Sequence, residues 1–250
     1  YEIAQCLVGS EMCIRDSTVL NPANLFLTAD LSYAVERGLN YDMVMFVNSD
    51  AGDISTRFTR ISSSFEQAEA YGKIIADSIQ KSLMAPVYKG SFEKISITQY
   101  PITLPVKKVR PVEDEIMQLQ NYEERLAEGK RQGLSGKELR ILASYVEGAK
   151  TAVDLAASLK GLENIKTHFS IMTLQNLKIA VVPGELFSTL GVSLKKDGIE
   201  VFGYGNGYYL YLADKSAYDN QYYEAMSSPF ERGVGEYLVE EIRNQVHQTA

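Results

Sequence analysis

The stretch KTHFSIMTLQNLKIAVVPGE, residues 166–185, decides the fold class of this chain. Residues 166–175 and 178–182 are two apolar-rich runs of strand length, and Asn176 lies between them. This pattern predicts two paired strands joined by a turn. A Pro-Gly dipeptide ends the second strand, and we expect a helix to start at Glu185.

Helical patterns lie on both sides of these strands. Residues 111–131 and 135–159 predict two helices with a short link, the second capped by Ser135 and Glu138, which together form a helical hairpin. Downstream, residues 199–203 predict a strand and residues 231–246 a final helix. Strands that alternate with helices predict an α/β fold: a layered mixed sheet with flanking helices and a helical hairpin.

The N-terminal part continues this alternation. Leu25 to Leu27 predict a short buried strand, followed by a helix to about Gly38. The run MVMFV at 43–47 predicts a strand covered on both faces. A capping box, either Ser63 with Glu66 or Ser64 with Gln67, opens a helix to about Met84 that Pro86 stops. Extended segments between prolines follow, marked by Phe92, Ile95, Ile97 and Ile102.

Residues 3–17, IAQCLVGSEMCIRDS, have neither a helical nor a strand period. They resemble the translated read-through of a sequencing adapter, a contaminant of assembled metagenomic genes. We therefore treat 1–17 as a non-native segment and expect the fold to begin at about Thr18. The domain organisation that follows is one domain over 18–250.

Composition restricts the classes of function. With 250 residues, 45% hydrophobic and 23% charged, the chain is typical of a globular protein, and its net charge of -7 argues against nucleic-acid binding. No run of about 18 apolar residues predicts a transmembrane segment. The two cysteines do not define a redox compartment, and the sequence leaves oligomeric state and localisation open. Only two histidines are present, so a zinc site built from histidines is hard to assemble.

Three loops carry the polar chemistry of the chain. Residues 48–55 (NSDAGDIS) follow a predicted strand and offer acids and a hydroxyl, although a plain capped turn has the same composition. Glu185 ends the segment VVPGE, where a helix start would keep it ionised to ligate a metal or orient a base; the alternative is a carboxylate that only complements the helix dipole. Residues 203–230 are rich in glycine and tyrosine, which suits metal or oxyanion contacts but also simple aromatic packing.

Together and in this order, the loops resemble the neutral ceramidases and their bacterial relatives. That family carries a Gly-Asp-Val-Ser loop, a Pro-Gly-Glu turn, an Asn-x-Tyr-x-x-Tyr segment and a later Tyr-Glu-(Ala/Gly)-Ala-Ser stretch. The matching segments here are 52–55 (GDIS), 183–185 (PGE), 206–211 (NGYYLY) and 223–227 (YEAMS). The resemblance runs from about Thr18 to Val246. One departure is Thr56, where the family usually has proline.

The resemblance implies a zinc-dependent hydrolase that cleaves the amide of ceramide into a fatty acid and sphingosine. In that family two histidines, a glutamate and a tyrosine hold the zinc. The metal positions Glu185 and Tyr211 and the catalytic positions Ser55 and Tyr223 carry over. The substrate would be a lipid-like amide, and a secreted or periplasmic location is compatible with the resemblance.

Neither zinc histidine is matched. Aligning 18–20 with the family puts the second histidine near Asp16, inside the non-native segment, and the first further upstream. The zinc site is therefore expected to be incomplete, and the chain to be a fragment with little activity as written. Residues 18–250 would then be a partial catalytic domain. A non-catalytic or differently specific relative that acts as a binding protein stays open, whereas the three loop motifs argue against a cofactor-free structural protein. The natural reading frame upstream of Thr18 would discriminate between them.

Overall fold

The fold is built on a four-stranded mixed sheet that contains the two strands predicted from residues 166–182. The computed structural model describes residues 18–21, 23–56, 59–84 and 94–248. The sheet strands are β1 (Ile95–Pro105), β2 (Asn164–Leu174), β3 (Leu177–Val181) and, further along the chain, β5 (Ile199–Phe202), in spatial order β1-β2-β3-β5. The first two pairings are antiparallel and the pairing of β3 with β5 is parallel. The hairpin turn is confirmed, with Gln175 at φ 54°.

A second, two-stranded sheet lies beyond the end of β3. It pairs β4 (Glu185–Leu186) in parallel with β6 (Tyr211–Leu212). Helices α5 (Ser188–Lys196), α6 (Lys215–Asp219), α7 (Tyr223–Ser227) and α8 (Val234–Gln248) surround the two sheets. The mixed α/β class is thereby confirmed, with eight helices in the described part of the chain.

One large apolar cluster joins the sheets to these helices. Helix α5 packs on β5 and on α8, and α8 also contacts β2. The fully buried side chains of this cluster include Phe169, Leu186, Leu194, Leu212, Phe230, Leu238 and Ile242. Because strands and helices share these side chains, the short β4–β6 sheet is fixed to the rest of the domain by apolar burial.

The predicted helical hairpin is confirmed by α3 (Val112–Arg131) and α4 (Gly136–Ser158). Ser135 caps α4 in a complete capping box: its Oγ accepts a hydrogen bond from the Glu138 backbone, and the Glu138 carboxylate accepts one from the Ser135 backbone N–H at 2.9 Å. Tyr122 and Tyr145 stack across the hairpin with ring centroids 5.4 Å apart.

The N-terminal part contains α1 (Asp30–Gly38) and α2 (Phe65–Leu83), which pack against each other around a small cluster that includes Leu31 and Ile75. The capping alternative that holds is Ser64, whose Oγ accepts from Gln67 N at 3.3 Å. Pro86 and Phe92 lie outside the described residues. No helix in the described ranges is long and apolar enough to cross a membrane.

Two predicted strands of this part are wrong. Residues 25–27 and 43–47 have no regular secondary structure. The side chains of Leu25, Leu27 and Met43 are 93%, 105% and 88% exposed, so nothing among the described residues covers them. Phe46 alone of these packs partly on the α1–α2 cluster. A continuous apolar run indicates a strand only where chain on both faces can bury it.

The prediction that a helix starts at Glu185 is also wrong. Glu185 lies in strand β4, and α5 begins three residues later at Ser188. Pairing with Tyr211, far along the chain, draws Glu185 into an extended conformation that local helix-start signals do not reveal. The helix dipole therefore does not act on Glu185 in the way that the sequence suggested.

Candidate functional site

The β4–β6 sheet brings Glu185 and Tyr211 side by side. They are register partners in the parallel pair, and Glu185 N donates to the Leu210 carbonyl at 2.8 Å, one residue before Tyr211. The second residue pair, Leu186 and Leu212, is buried in the main core. Core burial of one position therefore fixes the placement of the polar position next to it.

Tyr223, the first residue of α7, meets Tyr211 across this sheet edge. The two rings pack edge to face with centroids 5.7 Å apart. Burial raises the pKa of Tyr211 well above its ordinary value, and the negative charge of Glu185 and the contact with Tyr223 raise it further. Tyr211 is accordingly a neutral phenol that can donate a hydrogen bond over the whole physiological pH range.

The loop that carries Ser55 is docked onto the same strand. Gly52 N donates to the Leu186 carbonyl at 2.9 Å, and a Cβ at position 52 would overlap the Glu185 carbonyl oxygen. The loop backbone therefore approaches β4 as closely as only glycine allows. Ser55, three residues later, is half-buried.

Two acidic residues of this loop hold it in place. The Asp53 carboxylate accepts from Ser188 N at 2.7 Å and from Ser188 Oγ at 2.8 Å, so it satisfies the N-terminus of α5. Asp50 is fully buried and pairs with Lys195 at 2.7 Å. Both acids thus anchor the loop, which agrees with the capped-turn alternative, and the chain brings Glu185, Tyr211 and Tyr223 together with the Ser55 loop beside them.

Sequence reasoning missed Tyr204 and Tyr208. The Tyr208 hydroxyl donates a hydrogen bond to Glu185 Oε1, and the Tyr208 ring stacks on Tyr204 at 5.7 Å with an interplanar angle of 10°. The signal was present, because Tyr208 is the first tyrosine of the 206–211 match. The sequence does not assign a role to Tyr208, because the motif spacing does not reveal a contact with Glu185, 23 positions away.

The loop of residues 203–210 is held in an unusual backbone conformation. Tyr204, Asn206 and Leu210 all have left-handed φ values, 61°, 65° and 58°, a region that asparagine adopts readily but that is strained for tyrosine and leucine. Backbone hydrogen bonds tie the loop to the end of β3 and the turn after it: Gly205 N to Val182 O, Tyr209 N to Pro183 O and Tyr204 N to Gly184 O. The Asn206 amide adds a hydrogen bond to Ser170 Oγ at 2.8 Å. The 203–210 loop and Glu185 are therefore both fixed to the segment that follows β3.

The described residues do not fit a complete zinc site. No group of three or more His, Cys, Asp or Glu side chains that could hold a metal occurs within the described ranges. His168 lies on β2 next to Gln99, and His247 is exposed near the end of α8. Glu185 and the neutral phenol Tyr211 offer oxygen donors only, whereas catalytic zinc has three protein ligands and favours nitrogen among them.

Comparison with known proteins gives a fold likeness. No protein-family model and no curated protein sequence matches the chain. Over 90% of its length it superposes on the crystal structure of neutral ceramidase from Pseudomonas aeruginosa (TM-score 0.53, 14% identity) and on a ceramidase complexed with C2 (TM-score 0.57, 11% identity). The chain spans 41% and 42% of those two proteins. At these identities the likeness shows a ceramidase-like fold.

Proposed function

We propose that this chain contains part of the catalytic site of a ceramidase-like amide hydrolase, which cleaves the amide of a lipid such as N-acylsphingosine into a fatty acid and a long-chain amine. The observation that supports it most is the Glu185–Tyr211–Tyr223 cluster. Three residues of three separate motifs converge there, on a fold that resembles neutral ceramidases.

The cluster has the groups that amide hydrolysis needs. The transition state places negative charge on the carbonyl oxygen, and hydrogen-bond donors aimed at that oxygen stabilise it. Tyr223 and the neutral Tyr211 are such donors. The Glu185 carboxylate can orient a water and accept its proton. In this proposal Ser55, on the loop docked against β4, contacts the scissile group.

The described residues supply only part of the zinc site that this proposal implies. When bound, zinc would polarise the carbonyl and acidify a water. Glu185 and Tyr211 are too few ligands to hold it, so none of the roles above is assigned through zinc. The missing nitrogen donors would have to come from natural sequence upstream of Thr18.

The test is hydrolysis of a short-chain N-acylsphingosine, measured as the amount of free amine released. The chain as written and a version that carries the natural upstream sequence are compared, each with Glu185→Ala and Tyr223→Phe. We expect turnover only in the longer version, and its loss in both variants, while the exposed Tyr237→Phe stays fully active. Turnover that survives Glu185→Ala would overturn the proposal.

A binding protein is the second candidate, and one contact favours it: the Glu185 carboxylate already accepts the Tyr208 hydroxyl. A carboxylate held in this way suits recognition as well as catalysis. Saturable binding of the same lipid amide by the longer version, without turnover, would support this second function over the first.

A further inference from the structure

The last turn of helix α7 has a backbone carbonyl, that of Met226, which the chain after it cannot satisfy. Carbonyls at a helix C-terminus lack an intrahelical partner and need a donor from nearby residues or from elsewhere. Three positions after Met226 stands Pro229, which has no N–H. Four positions after it stands Phe230, whose N–H donates to Ser228 Oγ at 3.2 Å. A donor for this carbonyl therefore has to come from another part of the chain.

Lys107 supplies that donor. Its ammonium donates to the Met226 carbonyl at 2.7 Å, and its backbone N–H donates to the Pro229 carbonyl at 2.9 Å. Burial lowers the pKa of the Lys107 amine to about 8, an effect that Arg110 reinforces and Glu115 opposes. At pH 7 the amine is therefore still mostly protonated, and its hydrogen bond to the carbonyl is of the stronger, charge-assisted kind.

The backbone of Lys107 is itself fixed to the main sheet. The lysine follows the end of strand β1 by two residues. Val106 forms a β-bridge with Phe230, and Glu231 N donates to the Pro105 carbonyl at 3.1 Å. Residues 105–107 thus lie antiparallel to 229–231. The ammonium reaches the Met226 carbonyl from a rigid part of the fold.

The segment that Lys107 holds is connected to the candidate site on both sides. Helix α7 begins with Tyr223, three residues before Met226. After the helix, the fully buried Ser228 donates from Oγ to the Tyr211 carbonyl at 2.8 Å. A helix of five residues is not stable by itself, so contacts with its surroundings decide where it lies. A shift of the Met226 carbonyl would therefore move Tyr223 relative to Tyr211.

We infer that Lys107 is a positioning residue of the candidate site, which holds Tyr223 against Tyr211 through the hydrogen bond of its ammonium to the Met226 carbonyl. Lys107 acts through α7 and does not contact the substrate. Its importance for the reaction rests on the proposed function, in which Tyr223 donates to the carbonyl oxygen of the amide. The ring contact between Tyr223 and Tyr211 is independent of that function and can be measured in the chain as written.

The first test follows that ring contact by NMR at pH 7 in tyrosine-labelled protein. Signals of the two rings are assigned by their disappearance in Tyr211→Phe and Tyr223→Phe. The parent chain should show a nuclear Overhauser effect between the rings. Lys107→Met keeps the length of the side chain without a donor and should lose much of this effect. Lys107→Arg keeps a positive donor and should retain it, and so should Lys108→Met, which changes the exposed neighbour.

The second test measures amide hydrolysis in a version that carries the natural sequence upstream of Thr18. Lys107→Met should lower kcat about tenfold and leave KM within about twofold, because a misplaced Tyr223 loses its effect mainly in the transition state. Lys107→Arg should recover most of the lost kcat, and Lys108→Met should match the parent. A lysine that only stabilises the fold would change the unfolding midpoint but neither the ring contact nor kcat per folded molecule.

A ring contact that Lys107→Met leaves intact would overturn the inference, as would an unchanged kcat in that variant. Thermal unfolding checks that each variant is folded at the assay temperature, and Lys107→Gln replaces Lys107→Met if the latter is not. A ring contact that depends on Lys107, together with an absence of turnover in the longer parent, would refute the proposed function alone. Turnover by the longer parent that Lys107→Met does not lower would refute the positioning role alone.

Discussion

Gly148 on α4 lies directly against Tyr223 on α7: a Cβ at position 148 would stand 3.3 Å from Tyr223 Cδ2. The same Cβ would stand 2.6 Å from Cε of Met226, the next residue along α7 that faces the hairpin. The helical hairpin thus packs closely against the helix that carries Tyr223, and the position of Tyr223 depends on how closely α4 approaches α7.

Gly148→Ala is therefore expected to displace α7. The added methyl group pushes on the flexible end of Met226 and on the Tyr223 ring; this crowding opposes the gain that alanine brings over glycine in a helix interior, so the free energy of unfolding should fall by at most about 1 kcal/mol. Met226→Ala in the same chain removes the tightest contact and should restore much of that loss. Chemical denaturation measures both.

Gly136→Ala is the matched control for this pair. It lies at the start of the same helix, with nothing within 4 Å of the added Cβ, so it should leave stability unchanged or slightly raised. If Gly148→Ala is as harmless as Gly136→Ala, the close packing of α4 on α7 is not a constraint on the site.

Asp53 anchors the Ser55 loop to the N-terminus of α5, which predicts a stability effect. Asp53→Ala removes two hydrogen bonds to Ser188 and a favourable charge at the helix start, and should cost about 1 kcal/mol. Asp53→Asn keeps an acceptor oxygen and should cost less. Thermal unfolding is the measurement, and the exposed Asp42→Ala is the control; equal effects at 53 and 42 would contradict the anchoring role.

Local signals in the sequence were sufficient for the helical hairpin but not for the site. Ser135 and Glu138 interact across three residues, so their capping box is written in adjacent sequence. The local pattern at 181–185 likewise predicts a helix start at Glu185, and there the local signal is misleading. Its strand exists because Tyr211 pairs with it, a contact between distant parts of the chain.

The same distinction explains the other differences. The run at 43–47 has the composition of a buried strand, but burial depends on what covers it, and Met43 and Met45 are 88% and 77% exposed. The contact of Tyr208 with Glu185 likewise needs the turn at 183–184 and the left-handed residues of the 203–210 loop. The roles assigned to Ser55, Glu185, Tyr211 and Tyr223 stay predictions, although their positions are compatible with a common site.

Lys107 predicts a pH dependence of stability. Burial lowers its pKa to about 8; Glu115 opposes this shift and Arg110 adds to it. In the unfolded chain the pKa returns to about 10.4, so between pH 8 and 10 the unfolded state binds more protons than the folded state. The free energy of unfolding should therefore gain from this residue as pH rises through that window.

Comparison with Lys107→Met isolates this contribution. Buried tyrosines act in the opposite direction at higher pH, since burial raises the pKa of Tyr218 to about 12 and the folded state then retains a proton that the unfolded state loses. They act equally in the variant and cancel in the difference. Denaturation at pH 7.5, 8.5 and 9.5 should show the difference between parent and Lys107→Met changing with pH, whereas the exposed Lys108→Met should follow the parent throughout.

The apolar side chains exposed at 25–27 and 43–45 predict self-association. Several large apolar side chains exposed in one part of the chain promote contact between molecules. Replacing Leu25, Leu27 and Met45 together by serine should lower the binding of an apolar fluorescent dye and the apparent mass in sedimentation, without lowering the unfolding midpoint. Leu31→Ser, at a fully buried position of α1, should instead destabilise the fold.

Zinc binding is the sharpest check on the incomplete metal site. The positions implied by the ceramidase resemblance are Glu185 and Tyr211, and Tyr211 holds its proton more firmly than an ordinary tyrosine because it is buried beside a carboxylate. A phenol that keeps its proton is a poor ligand, and a single carboxylate, already hydrogen-bonded to Tyr208, binds zinc weakly.

Titration of the chain as written with zinc should therefore show no tight stoichiometric binding, and Glu185→Ala should change the isotherm little. In a version that carries the natural sequence upstream of Thr18, tight binding should appear and should be lost on Glu185→Ala, while Glu231→Ala leaves it intact. Tight, Glu185-independent binding by the chain as written would show that the metal lies elsewhere.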